Sequence, residues 1–183
     1  MVVRTAPVLL IVVSVFAAEP GLRDFQQIDA NVYRGRQPSP EGYITLAHMG
    51  VKTVIDLRGG MIHVPHEKRL VEKAGMRYVE ERLSGLFEPH DKQIARLLTV
   101  MMDPSATPVF VHCRRGADRV GVLIACYRMA HDGWTNQQAF QEACKERLSP
   151  LEVLMRRYIQ HFDPVRLSLP ATPAAASDGH MMQ

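Results

Sequence analysis

The sequence lacks an excess of charge of either sign: 22 Lys and Arg stand against 19 Asp and Glu, a formal net charge of +3. Nucleic-acid binders carry a stronger basic bias, because phosphate contacts need neutralising cations, so no nucleic-acid partner is expected and the positive charge is read as local. Apolar runs are missing beyond the first 17 residues, so nothing downstream approaches the ~20 residues of a membrane span. There is no internal repeat, which leaves one non-repetitive domain. Cysteine is scarce, three in 183 residues. No metal motif is present either. His63-Val64-Pro65-His66-Glu67 crowds two histidines and a glutamate, but Pro65 prevents one continuous helix from setting both histidines on a face, and neither the zincin order nor its inverse is met. Neither a metal nor another cofactor is expected.

What is present supports a globular fold: 183 residues, 46% of them hydrophobic, are enough for one ordinary domain with a full core. Residues 1–17 have the make-up of a secretory signal peptide, with Arg4, an apolar run over 6–16, and Val15-Phe16-Ala17 ahead of a cleavage point before Ala18. The run is short for a span, so the alternative of an uncleaved anchor ranks below cleavage. A secreted or periplasmic location, with no stable membrane insertion after cleavage, follows. An oxidising compartment favours disulfides. Cys126 and Cys144 are nevertheless read as buried, unpaired apolar residues, with a bridge between them as the alternative. The domain is placed at residues 18–163, and residues 164–183, rich in Pro, Ala and Ser, are read as a disordered tail.

Between these ends, strand and helix patterns alternate. Strands are expected at 32–35, 51–57, 76–81 and 108–111, and helices from Ser39-Pro40 to Gly50, from Pro65 to Ala74, and over 91–102 and 120–129. Thr135-Asn136-Gln137-Gln138 and Ser149-Pro150-Leu151-Glu152 read as capping boxes of two further helices. The stripe of Leu151, Leu154, Met155 and Tyr158 reads as core packing. The fold class is α/β in three layers, a central mainly parallel sheet of four or five strands flanked by helices on both faces. Arg58, at the C-terminal end of the second strand, is read as lying either near a ligand or on the surface.

The chemistry concentrates in His112-Cys113-Arg114-Arg115-Gly116-Ala117-Asp118-Arg119-Val120-Gly121, a turn between a core strand and a helix. Backbone N–H groups of such a turn converge on one point with the positive helix end behind them, which makes an anion cradle. Cysteines beside helix N-termini and arginines are held as thiolates, and a thiolate is a strong nucleophile toward phosphorus. Arg119 offers a planar fork for two phosphoryl oxygens, which lysine does not. Gly116 admits the positive φ that curls the loop around an anion.

His-Cys-x5-Arg resembles the signature of the cysteine-dependent protein tyrosine phosphatase superfamily. With Val32-Tyr33-Arg34-Gly35, Gln37-Pro38 and Val54-Ile55-Asp56-Leu57-Arg58, the chain resembles the atypical dual-specificity phosphatases of bacteria and their plant and fungal relatives. The resemblance implies Cys113 as nucleophile, Arg119 with Arg114, Arg115, Gly116, Ala117 and Asp118 as the phosphate-binding loop, and His112 as its support. It implies a general acid before the third helix, where Asp91 fits best; Glu88 and Asp118 are the other candidates. One departure is Val120, where most of the family has a Ser or Thr whose hydroxyl helps the thiolate leave the phosphocysteine. Substrates implied are phosphotyrosine and related phosphoesters, with phosphoinositides or inositol (pyro)phosphates as the alternative. A rhodanese-like sulfurtransferase and a non-catalytic phosphate-binding module are the rival classes.

Overall fold

The computed structural model describes residues 19–60, 63–85 and 87–167. The expected signal peptide at 1–17 and most of the expected tail lie outside them. Five strands, β1 (Gln26–Gln27), β2 (Val32–Arg36), β3 (Thr53–Asp56), β4 (Arg77–Glu80) and β5 (Val109–Cys113), form one sheet in the order β1-β2-β5-β3-β4. All neighbours run parallel except the short edge strand β1 against β2. The three-layer, mainly parallel α/β sheet expected from the sequence is thus the observed fold, and β1 falls in a stretch whose sequence carries little signal.

The central strand β5 is buried along all five residues. A parallel strand covered on both faces needs apolar side chains in both directions, and Val109-Phe110-Val111 supplies them. On one face α1 (Pro40–His48) and α2 (His63–Lys73) bring Tyr43, Leu46 and Val71 onto Val54 and Phe110. On the other, α3 (Asp91–Met101) and α4 (Asp118–His131), backed by α5 (Asn136–Lys145) and α6 (Val153–His161), cover Val32, Ile55, Val109 and Val111. Register sets the site: β2 pairs Arg36 with Cys113, and β3 pairs Asp56 with His112, so three strands end together where the loop begins.

Several expected boundaries are corrected. Helix α2 starts at His63 rather than Pro65, and α4 starts at Asp118, two residues before Val120, so its N-terminus belongs to the loop itself. Thr135 makes the expected capping box with Gln138. Ser149 does not: α6 starts at Val153 with Glu152 as N-cap and no side-chain cap bond. Met155 and Tyr158 are therefore in the core, whereas Leu151 and Leu154, off the inward face, are exposed. The first residues of the expected disordered tail, Pro164–Leu167, form a turn of 3-10 helix. Cys126 is buried and Cys144 half-buried, and both are unbridged; Arg156 Nη1 lies 3.3 Å from Cys144 Sγ.

Candidate active site

The loop from Cys113 to Arg119 closes tightly because glycines allow it. Gly116 has φ +69°, and a Cβ there would come within 2.6 Å of the Gly35 backbone, so the loop curls against the end of β2 at a distance no side chain permits. Arg34, on β2 and buried, donates from Nη2 to the Gly116 carbonyl at 2.8 Å and ties the loop to the sheet. Burial pulls its pKa below the usual arginine value, against the opposing field of Glu146.

Cys113 and Arg119 line one hollow of about 580 Å³ at the N-terminus of α4, together with Arg36, Arg114, Arg115 and Asp118. That volume suits a small phosphoester group. Arg119 Nη1 donates to the Leu57 carbonyl at 3.3 Å, which braces the guanidinium from β3. Asp118 accepts from Arg115 Nη2 at 2.7 Å and from the Ser149 amide at 2.9 Å, so it latches the loop to the α5–α6 connection. Gly116 and Ala117 are buried, and Arg114 and Arg115 are exposed around the mouth. Val120 is fully buried in the core and presents no hydroxyl to the loop.

His112 is fully buried behind Cys113, stacked on Phe110. Its Nε2 lies 2.7 Å from Glu67 Oε1 on α2. Arg58 bridges Glu67 and Asp56: it donates to both Asp56 oxygens, at 2.9 Å each, and to Glu67 Oε2. Arg58 therefore neither reaches the phosphate hollow nor lies on the surface, which corrects both expectations. Burial opposes its charge, but the Asp56 and Glu67 carboxylates outweigh that and raise its pKa. Burial likewise works against the Asp56 charge, yet the Arg58 hydrogen bonds and the field of His112 hold its carboxyl below the usual range. Asp56, Glu67 and His112 offer ligand atoms within 4.8 Å of one another. The Arg58 guanidinium already sits on both carboxylates and supplies the countercharge a cation would bring. The dismissed cluster at 63–67 thus contributes Glu67, buried, while His66 faces solvent.

The expected acid is not among the residues that line the Cys113 hollow. Asp91 and Glu88 line a different hollow, walled by α3 and α6, and Asp91 Oδ1 accepts from the Tyr158 hydroxyl at 2.8 Å. The Tyr158 hydroxyl, from α6, holds Asp91 in that hollow. Among the described residues, the carboxylates on the wall of the Cys113 hollow are Asp118 and Glu152. Glu152 was missed because the sequence pattern placed it inside a capping box.

A sheet of this order, with Cys113 ending its central strand and Arg119 at the start of the helix that follows, is the fold of the dual-specificity phosphatase class. The chain belongs to the family described as "DSP-PTPase phosphatase fused to NAD+ Kinase", whose model matches residues 11–154. Among curated proteins it is similar to the inositol diphosphatase SIW14 of Saccharomyces cerevisiae, 25% identical over 149 residues that cover 76% of this chain and 51% of that one. It is also similar to the dual specificity protein phosphatase TpbA of Pseudomonas aeruginosa, 25% identical over 132 residues, 69% of this chain and 55% of that one. The chain thus spans about half the length of these two relatives. Inositol diphosphatase DSP4 of Arabidopsis thaliana is 25% identical over 145 residues, 76% of this chain and 72% of its own. Among solved structures, the SIW14 core catalytic domain aligns with a TM-score of 0.72 at 20% identity, covering 82% of this chain and 91% of that one. TpbA aligns at 0.67 and 21% identity, covering 82% and 91%. These likenesses show the fold.

Proposed function

We propose that the chain is an exported phosphatase that cleaves phosphotyrosine and related phosphoesters through a phosphocysteine. The observation that carries this reading is the shared hollow of Cys113 and Arg119 at the N-terminus of α4. Cys113 Sγ attacks phosphorus, forming the S–P bond as the P–O ester bond breaks. Arg119 and the loop N–H groups hold the equatorial oxygens, and their charge opposes what develops there. A carboxylic acid protonates the leaving oxygen, a contribution of about a hundred- to ten-thousand-fold. We assign this part to Glu152, because it lines the hollow and its side chain caps no helix, while both oxygens of Asp118 already accept hydrogen bonds. In the second half, Glu152 takes a proton from water as water attacks phosphorus, the S–P bond breaks, and inorganic phosphate and thiolate result. His112 supports the loop from beneath. Export rests on the signal-like residues 1–17.

A second reading, hydrolysis of an inositol diphosphate, is favoured by one feature. Arg36 and Arg114 of the Cys113 hollow also line an adjoining one with Arg23, which offers cations for a second phosphate. SIW14 and its plant counterparts carry inositol diphosphatase names, and a TpbA variant has been crystallised with phosphotyrosine. A panel of phosphotyrosyl peptides, phosphoinositides and inositol diphosphates, run with wild type and Cys113→Ser, separates them. Turnover of phosphotyrosyl peptides that vanishes in Cys113→Ser is the expected result, and turnover confined to inositol diphosphates replaces the first reading by the second.

A further inference from the structure

The Cys113 hollow has two unlike shoulders. On one side Arg36 and Arg114 lead to Arg23. On the other, Gly85, Glu152 and Met155 lead into a depression walled by Phe87, Leu151, Val153 and Leu154. These four side chains are 69%, 89%, 65% and 39% exposed, and they are four of the six large apolar side chains exposed among the described residues. Single exposed apolar residues are ordinary, but a cluster of them on one rim marks a contact site. The shelf is also fixed relative to the cradle. Ser149 donates its amide to Asp118 of the phosphate loop at 2.9 Å, and its hydroxyl accepts from the Leu151 amide at 3.2 Å. The turn that pushes Leu151 outward is therefore anchored to the loop that holds the phosphate.

We propose that this shelf is a specificity subsite for a phosphotyrosyl segment of a protein, one that carries an apolar side chain on one flank of the phosphoresidue and acidic side chains on the other. The proposal rests on the phosphatase reading above and names its substrate more closely. An extended chain advances about 3.3–3.6 Å per residue, so residues next to the phosphotyrosine run outward onto the two shoulders. An inositol polyphosphate has no apolar surface for Leu151 and Val153 to cover. A bilayer is disfavoured because Glu152 lies within the shelf and Glu88 follows Phe87. Arg23, Arg36 and Arg114 line the other adjoining hollow, and no cation is among the residues that line the apolar one, whereas surface-bound elements pair an apolar face with flanking cations.

The test is a cycle of two peptides and two enzymes. One phosphotyrosyl peptide carries Leu beside the phosphoresidue and Glu on the other flank, and its partner has Ala for the Leu. Wild type and the double variant Leu151→Ser, Val153→Ser are compared by kcat/KM. Wild type is expected to prefer the Leu peptide by about tenfold, the worth of one or two apolar side chains leaving water, and the double variant to lose that preference. Single Leu151→Ser, whose side chain touches little of the core, gives the same readout should the double variant misfold. An unchanged preference in a folded variant, or no preference in wild type, overturns the subsite. So does a shelf-dependent rate confined to phosphoinositides in anionic vesicles, which would assign the shelf to lipid. Absence of any Cys113-dependent turnover of p-nitrophenyl phosphate sinks the underlying phosphatase reading instead, so the two failures are distinguishable.

Discussion

Cys113 and Arg119 have different replacements open to them, and each replacement isolates one part of the chemistry. Cys113→Ser removes the sulfur of the proposed nucleophile and is expected to abolish turnover of p-nitrophenyl phosphate while leaving phosphate binding in place. Arg119→Lys keeps a charge but loses the fork, and a fall in kcat of about a hundred-fold or more is expected from steady-state rates. Gly116→Ala adds a Cβ where φ is +69° and the Gly35 backbone lies 2.6 Å away. Left-handed backbone alone costs roughly 1–2 kcal/mol in a residue with a side chain, so this variant should bind phosphate poorly as well as unfold earlier. Val120 supplies no hydroxyl to help the phosphocysteine break down, so wild type should show a burst of nitrophenol followed by a slower steady rate, and Val120→Thr a smaller burst with faster turnover. Absence of a burst in both proteins would refute this. Glu152→Gln should slow aryl phosphates with poor leaving groups far more than those with good ones. Asp91→Asn, Glu88→Gln and Asp118→Asn serve as its comparisons, and a leaving-group effect in Asp91→Asn would return the acid to the residue the sequence favoured.

At the scale of the elements, the loop is held by a charged layer that joins β3, α2 and β5. Asp56, Arg58, Glu67 and His112 are packed between the sheet and α1–α2, and Tyr78 donates its hydroxyl to Asp56 Oδ2 at 2.8 Å. Because the native carboxyl of Asp56 titrates lower than its unfolded value of about 3.9, its contribution to stability is fully present above that value and is lost as pH falls through the lowered native one. Wild type should therefore lose stability steeply below about pH 4, and Asp56→Asn should flatten that slope while costing roughly 3 kcal/mol or more at neutral pH, since it breaks a buried pair. Urea melts over pH 2–7 measure both. This layer was hard to read from the sequence. The signature from His112 to Gly121 and the strand patterns were legible because a fixed spacing or a local period carries them. Arg34, Glu67 and Glu152 act across the fold, and nothing in their immediate neighbours announces a partner 82 residues away, as Gly116 is from Arg34. The position of Asp91 was not legible either, because an acid just before a helix is the same sequence feature whether it faces the Cys113 hollow or bonds Tyr158 of α6.

For the whole molecule, the proposed compartment and the three cysteines have to be compatible. A protein exported as proposed meets oxidants, yet the proposed reaction needs the Cys113 sulfur unbridged, so the fold must keep the other sulfurs from reaching it. Cys126 lies in α4 within the core, and burial, with the nearby Asp91 charge, pushes its thiol well above the ordinary value, which leaves it protonated and unreactive. Cys144 sits on α5, half-buried and covered by Arg156. The native protein should then show one rapidly alkylated thiol with iodoacetamide, and three after denaturation, as mass spectrometry counts them. Phosphate should protect the fast thiol, because it occupies the hollow that Cys113, otherwise buried, lines. Export itself is tested by joining residues 1–25 to a reporter that is active only in an oxidising compartment. Activity of the fusion, with loss of the leader from the mature chain, is expected. A silent reporter, together with full-length protein in the cytosol, would place the enzyme among reduced thiols and remove the need for the separation that α4 and α5 maintain.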